Sequence, residues 1–382
     1  MEKATINRYF YDKFQAAGTC YFSPGRINLI GEHIDYNGGC VLPGAIDKGI
    51  MAEIRPTGGD RVRAWSIDLN EYAEFGLREE DKPQAHWACY LFGVCREMIK
   101  RGAKIGGFDT VFSGDVPLGA GLSSSAALES TYAFALNELF GAGLDKKELV
   151  LVGQKTEHNY CGVNCGIMDQ FASLFGKEGY LIRLDCSTMD YAYIPFHPQG
   201  YRLVLLDSVT KHELVGSPYN ERRSSCERAA AAIAVRHPEV RFLGQATEAW
   251  LEEVRSEISA EDYQRALYAI QENIRLKQTV EALQRDDYET VGRCMFETHR
   301  GMSRLYEVST EELDFLNEVA AACGVTGSRI MGGGFGGCTI NLVKEELYAS
   351  FVQTAVARFK ERYGKEPKVY PVVISDGARR LE

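Results

Sequence analysis

The stretch from Ser113 to Ser130, SGDVPLGAGLSSSAALES, combines residue types that can hold a phosphate. A strand end and a glycine-bearing turn lead through three serines into an alanine-rich segment, which reads as a helix beginning near Ser124. A helix start exposes unpaired backbone N–H groups and the positive end of the helix dipole, so it attracts anions and phosphate above all. Gly119 and Gly121 carry no Cβ and let the backbone approach an anion closely. The hydroxyls of Ser123, Ser124 and Ser125 add donors to a phosphate or oxygen ligands to a metal. The structural alternative is a serine-capped helix after a tight turn. On this loop alone both readings stand.

Three further groups carry chemistry. Arg26, Glu32, His33 and Asp35 sit between two apolar runs in TCYFSPGRINLIGEHIDYNGGCVLPGAIDKGI, on a loop or short helix that ends in a turn at Asn37-Gly38. Four ionisable residues are poor core material, and the alternative is a solvated loop with internal ion pairs. Asp169 is the single carboxylate in CGVNCGIMDQFASLF, costly to bury unless it is paired, functional or capping the helix that carries QFASLF. Gly332, Gly334 and Gly337 in SRIMGGGFGGCTINLV satisfy GxGxxG, but an alternating strand follows them where a dinucleotide site needs a helix. These glycines read as a close backbone approach between elements.

Composition narrows the classes. With 382 residues the chain exceeds the size of a usual single core, and two domains are expected. The formal net charge is −10 with no run of lysine or arginine, which argues against nucleic-acid and anionic-membrane partners. A polyanionic substrate then needs local donors or a divalent metal. The N-terminal MEKATINRYFYDKF lacks an uninterrupted apolar segment, no stretch approaches a membrane span, and the eleven cysteines show no paired CxxC spacing. A cytoplasmic protein with reduced thiols is the expectation. Cys161 and Cys165 read as small residues near a turn.

The elements that must position these groups follow from periodicity and caps. Alternating segments between Ile50 and Leu77 predict antiparallel strands, and Trp87 and Tyr90 fall on one face of a helix. The helix that starts near Ser124 runs through Phe140, and a second begins at Asp145 and passes Glu157. Strands return over residues 179–206, and YIPFHPQG marks the crossing to a second domain. After the strand YRLVLLD, a polar stretch leads into an alanine-rich helix through Ala232. Ser259 and Ser309 open capping-box patterns, and Gly324 and Gly364 sit at helix C-termini. The fold class is α/β, of α+β type, with domains at 1–195 and 196–382.

An anion-binding helix start, a polar cluster suited to a hydroxylated ligand, an isolated carboxylate and an isolated arginine together suit phosphoryl transfer to a small polyol. No GxxxxGK[ST] and no HRD or DFG set is present, so P-loop and protein-kinase chemistry are excluded. The residues by themselves reach a small-molecule kinase, with other anion-binding enzymes open. Three stretches resemble the signature motifs of the GHMP small-molecule kinases: residues 25–43, GRINLIGEHIDYNGGCVLP; 117–129, PLGAGLSSSAALE; and 327–342, GSRIMGGGFGGCTINL. The first resembles the sugar-site signature of the galactokinase family, and CGIMDQ at 165–170 is similar as well.

That resemblance implies two α/β domains with the site in the cleft between them, ATP and Mg2+, and a cytoplasmic monomer acting on galactose. Asp169 would lie beside the anomeric hydroxyl, with Arg26 orienting it and stabilising charge on the transferring group. Glu32, His33, Ile34, Asp35 and Tyr219 would line the sugar site, and Ser125 and Glu157 would ligate the metal. Gly119, Ala120, Gly121, Leu122, Ser123, Ser124 and Ser125 would cradle the phosphates, with Ser66, Trp87 and Tyr90 around adenosine. Two departures stand out: Ser23 replaces a small apolar residue before Pro24, and Pro218 stands before Tyr219 where the family often has Glu. An N-acetylgalactosamine kinase and a non-catalytic sugar sensor are the alternatives.

Overall fold

The computed structural model describes residues 2–117, 121–210 and 219–382. Chain order begins α1 (Lys3–Phe14), β1 (Thr19–Asn28), β2 (Cys40–Val41), β3 (Pro43–Pro56), β4 (Arg61–Ser66), β5 (Glu71–Gly76), α2 (His86–Lys100) and β6 (Phe108–Gly114). It continues through α3 (Ser124–Leu139), α4 (Lys146–Thr156), a π-helical turn at Glu157–Cys161, α5 (Met168–Phe175), β7 (Tyr180–Asp185) and β8 (Tyr191–Pro195). Then come β9 (Tyr201–Asp207), α6 (Tyr219–Ala234), α7 (Glu248–Glu253), α8 (Ala260–Leu283) and α9 (Tyr288–Arg304). The last elements are α10 (Glu311–Ala322), β10 (Gly327–Ile330), β11 (Cys338–Lys344), α11 (Glu345–Tyr363), β12 (Lys368–Val372) and β13 (Arg379–Arg380).

A six-stranded mixed sheet has the order β13-β1-β3-β6-β4-β5, a four-stranded antiparallel sheet β10-β11-β9-β12, and a three-stranded one β2-β7-β8. The fold is therefore α/β of the α+β kind. The strands between Ile50 and Leu77 are not one antiparallel meander: β6 inserts between β3 and β4, and β4 runs parallel to β6. A parallel pair needs a long connection, and β5 with α2 supplies it. Among the described residues no helix is long and apolar enough to cross a membrane.

The helix starts follow local hydrogen bonding. Asp145 accepts from the Glu148 N–H and Glu148 reaches back to Asp145, a complete capping box, and Ser259 accepts from the Asp262 N–H. At α10 the cap is Thr310 and not Ser309, whose hydroxyl is turned to Asp314 instead. The chain leaves the three-stranded sheet at Pro195 and enters the four-stranded sheet at Tyr201. It later reaches the six-stranded sheet: Arg380 pairs with Tyr21 and Ile374 bridges to Ile46. One apolar core, from Tyr21 to Ala378, runs through both halves, and a smaller one lies where α10 and α11 cover β9 and β11.

A buried ion pair joins the halves at the cleft. Arg329 on β10 is 0% exposed and Glu32, in the loop after β1, is 2% exposed. Arg329 donates to the carbonyls of Leu29 at 2.8 Å and Ile330 at 2.6 Å, to that of Asn28, and to Glu32 Oε1 at 3.2 Å. Glu32 Oε1 also accepts the Gly332 N–H at 2.8 Å. Removing one partner leaves a buried charge unpaired, which costs about 3–5 kcal/mol. Arg329→Ala is expected to lower unfolding free energy by that amount in denaturant titrations, and Arg329→Ala with Glu32→Gln to lose less than the single change.

Candidate active site

One cleft gathers residues from every stretch singled out above. Its lining includes Arg26 from β1, Glu32, His33 and Asp35 from the following loop, and Gly121 to Ser125 at the start of α3. Glu157 from the π-helical turn, Asp169 from α5, Tyr219 from α6, and Gly332 and Gly333 complete it. Ile34 does not line the cleft; it is buried beneath the loop. Gly119 and Ala120 lie outside the described residues.

Arg26 belongs to β1 and not to a loop or short helix. A register shift between Pro24 and Arg26 breaks the β1–β3 ladder there, and such a bulge re-aims the side chain that follows. The Arg26 N–H donates to the Leu122 carbonyl at 3.1 Å, which ties the strand to the segment that leads into α3. The guanidinium forms a fork with Asp169, Nε to Oδ1 at 2.9 Å and Nη2 to Oδ2 at 3.1 Å, and Nη1 donates to the Gly121 carbonyl. Ser123 donates its hydroxyl to Asp169 Oδ2. Asp169 therefore does not cap its helix: α5 starts after Ile167 without a side-chain cap, and the Asp169 carboxylate is spent on Arg26 and Ser123. Arg26 is buried while the Asp169 side chain keeps 28% of its surface exposed, so the pair presents its carboxylate to the cleft.

Burial sets the charge states around this pair. Asp35 is pushed up to about 7, first by burial and then by the neighbouring Asp169 carboxylate. Gly166 makes room for it, because a Cβ there would overlap Asp35 Oδ2. His33 is pushed down to about 3 by burial, with the Arg222 and Arg329 cations adding to the effect, so its imidazole is neutral. Glu157 rises to about 7, again chiefly through burial, with the nearby Ser125 hydroxyl opposing the shift.

Ser125 and Glu157 thus place two hard oxygen donors side by side in the cleft. Among the described residues no group of three or more His, Cys, Asp or Glu could enclose a metal. A donor set of this kind fits Mg2+, which keeps several waters and takes phosphate oxygens in place of an all-protein cage.

Ser66, Trp87 and Tyr90 are not brought into the cleft. Ser66 is buried on β4 opposite Phe112, and the Trp87 ring lies 5.4 Å from the same Phe112 while its Nε1–H donates to Glu71. The two therefore meet around Phe112, near the end of β6 that leads to the phosphate loop. Tyr90 packs edge-on against His86 with ring centroids 5.5 Å apart. Sequence reasoning missed Arg329 and the Gly332 N–H as partners of Glu32, and missed Ser123 as a partner of Asp169. The signal for Arg329 was a charged residue next to the apolar Ile-Met of a strand.

The profile described as the galactokinase galactose-binding signature matches residues 8–56, that of the GHMP kinases N terminal domain 90–177, and that of the GHMP kinases C terminal 279–362. A galactokinase of Clostridium beijerinckii is 41% identical over 389 residues, covering 100% of both chains. The chain belongs to the galactokinase family of the GHMP kinases. A Thermotoga maritima galactokinase is 38% identical over 94% of this chain and 99% of its own. The crystal structure of Lactococcus lactis galactokinase complexed with galactose superposes with a TM-score of 0.94 at 34% identity, covering 98% of each chain. A Methanococcus jannaschii mevalonate kinase shares the fold, with a TM-score of 0.66 at 18% identity over 95% of this chain and 100% of that one.

In this galactokinase-family cleft the raised Asp35 has a measurable consequence. Unfolded, Asp35 ionises near 4, whereas folded it keeps its proton to about 7. The unfolded chain therefore loses the proton first, and stability falls as pH rises across that window. Asp35→Asn removes the effect. Its melting temperature, relative to the parent without sugar, is expected to rise between about pH 5 and pH 8. A difference that stays constant over that range would contradict the assignment.

Proposed function

We propose that the chain transfers the γ-phosphoryl group of ATP to the anomeric hydroxyl of galactose, giving galactose 1-phosphate and ADP. The observation that carries this reading is the braced Arg26–Asp169 pair, opening onto a cleft that also holds the positive start of α3. In this reading the sugar lies against Glu32, His33, Asp35 and Tyr219, with its reacting hydroxyl at Asp169. Asp169 takes up the hydroxyl proton or supplies negative charge beside it; a loose phosphoryl transition state needs little more from a base. Arg26 keeps Asp169 oriented and has N–H hydrogens left to meet charge on the transferring group. The N-terminal N–H groups and serines of α3 hold the phosphates.

Ser125 and Glu157 would hold Mg2+, which supplies charge neutralisation at the phosphates when bound. The serine loop has no P-loop lysine, so its positive charge comes from the helix start, from Arg26 and from that cation. We assign the phosphate loop and sugar loop to a part ending near residue 195, and the glycine loop that closes the cleft to the remainder. We further read the protein as a cytoplasmic monomer.

ADP release, measured in a coupled assay with galactose, N-acetylgalactosamine, arabinose, glucose and mevalonate, tests the reading. Galactose is expected to give the highest kcat/KM; a preference for N-acetylgalactosamine, or no turnover with any sugar, overturns it. Asp169→Asn is expected to lower kcat at least about a hundredfold with the fold intact. Arg26→Lys is expected to lose most activity as well, because an ammonium cannot span both Asp169 oxygens and the Gly121 carbonyl. Near-parental turnover in either variant would remove that residue from the mechanism.

A further inference from the structure

His33 has both ring nitrogens occupied. Nε2 lies 3.2 Å from the Gly333 carbonyl oxygen, which can only accept, so Nε2 carries the hydrogen. Nδ1 lies 2.7 Å from the Tyr36 hydroxyl, and on a neutral ring it must accept from it. With its hydrogen committed to His33, Tyr36 offers only its oxygen to the Tyr306 hydroxyl, 2.8 Å away. Tyr306 in turn donates to Tyr36 and leaves its own oxygen for the Cys226 thiol at 3.2 Å. The direction of every hydrogen in this row follows from one carbonyl at its end. Cys226 and Tyr306 are fully buried, and His33 holds a left-handed backbone at φ 63°, a conformation uncommon outside glycine.

The row also joins separate parts of the chain. Cys226 and Tyr219 lie on α6, Tyr306 follows α9, and Gly333 is in the glycine loop. Their rings pack around His33, with centroids 4.7 Å away for Tyr306 and 5.5 Å for Tyr219. Arg222 fixes the Tyr306 backbone by donating to its carbonyl at 2.8 Å. None of Tyr36, Tyr306 and Cys226 lines the cleft; Tyr36 touches two residues that do, His33 by its hydrogen bond and Tyr219 by an edge-on ring contact at 5.6 Å.

Building on the proposed sugar kinase activity, we propose that Tyr36 and Tyr306 are positioning residues that act with the Gly333 carbonyl to hold His33 in its Nε2–H form, so that Nδ1 is occupied by Tyr36 and the ring meets the sugar site as a donor through Nε2. A sugar oxygen that meets His33 has to accept, in competition with the Gly333 carbonyl. Tyr36→Phe removes the donor at Nδ1, which leaves the Gly333 carbonyl alone to favour the Nε2–H form and raises the share of the Nδ1–H form. Loss of one neutral hydrogen bond corresponds to roughly a threefold to tenfold effect.

Two readouts test this. In Tyr36→Phe, KM for galactose is expected to rise by roughly threefold to tenfold with KM for ATP unchanged, and Tyr306→Phe is expected to move it in the same direction by less. The 15N resonances of the His33 ring, identified by their loss in His33→Ala, are expected to show one Nε2–H form in the parent and a mixture in Tyr36→Phe. A parent ring carrying its hydrogen on Nδ1, or on both nitrogens at neutral pH, overturns the proposal. So does an unchanged KM for galactose in folded Tyr36→Phe. Should the parent turn over no galactose at all, the activity reading fails instead, and the NMR result still decides the form of the ring.

Discussion

The contact between Glu32 and Arg329 is the constraint on which the cleft rests. Both charges are out of water, and such a pair is favourable only when its remaining hydrogen-bonding capacity is met. Here three backbone carbonyls and the Gly332 N–H meet it. The loop after β1 and the glycine loop are thereby tied to each other, because each side chain of the pair is anchored on backbone atoms of the facing segment. Small residues allow the approach: a Cβ on Gly121 would lie 3.0 Å from the Met331 carbonyl, and one on Gly332 would lie 3.4 Å from the Gly121 Cα. The phosphate loop is therefore seated on the same frame as the sugar loop.

On that frame, neighbouring carboxyl groups are given different tasks by their surroundings. Asp169 has a guanidinium fork and a hydroxyl donor, whereas Asp35 and Glu157 are pushed up to about 7 by burial. Three full negative charges so close together would repel an approaching triphosphate, and a proton held on Asp35 or Glu157 limits that repulsion. A chain of net charge −10 can still admit a polyanion to this cleft, because Arg26 and the α3 start lie in its lining while charges more than a Debye length away are screened.

Short-range features were legible from the chain alone. The caps at Asp145 and Ser259 and the left-handed glycine after α11 depend on hydrogen bonds spanning a few residues, and α3 starts at Ser124 as read although no side chain caps it. The Ser309 cap misplaced by one residue shows the limit: Ser309 and Thr310 are equivalent as capping side chains, and Asp314 decides between them by engaging Ser309. The cleft residues were also legible as a set, since resemblance to a kinase family placed Arg26, Glu32, Asp35, Ser125, Glu157 and Asp169 together. Arg26 was misassigned to a loop because a bulge next to Pro24 interrupts a strand that otherwise continues past it.

The sequence by itself determined the type of fold, the helix start at Ser124 that enters the cleft and the family of the chemistry, because these are written in residue types over short spans. Tertiary structure alone decided what each cleft residue is bonded to. Glu32 and Arg329 are 297 positions apart, and Arg26 and Asp169 are 143 apart, so no local pattern could report either pairing. The insertion of β6 between β3 and β4, the isolation of Ser66 and Trp87 around Phe112, and the row from Cys226 to His33 are of the same kind. Each is a choice among partners that many residues could serve equally well, and only packing of the whole chain removes the others.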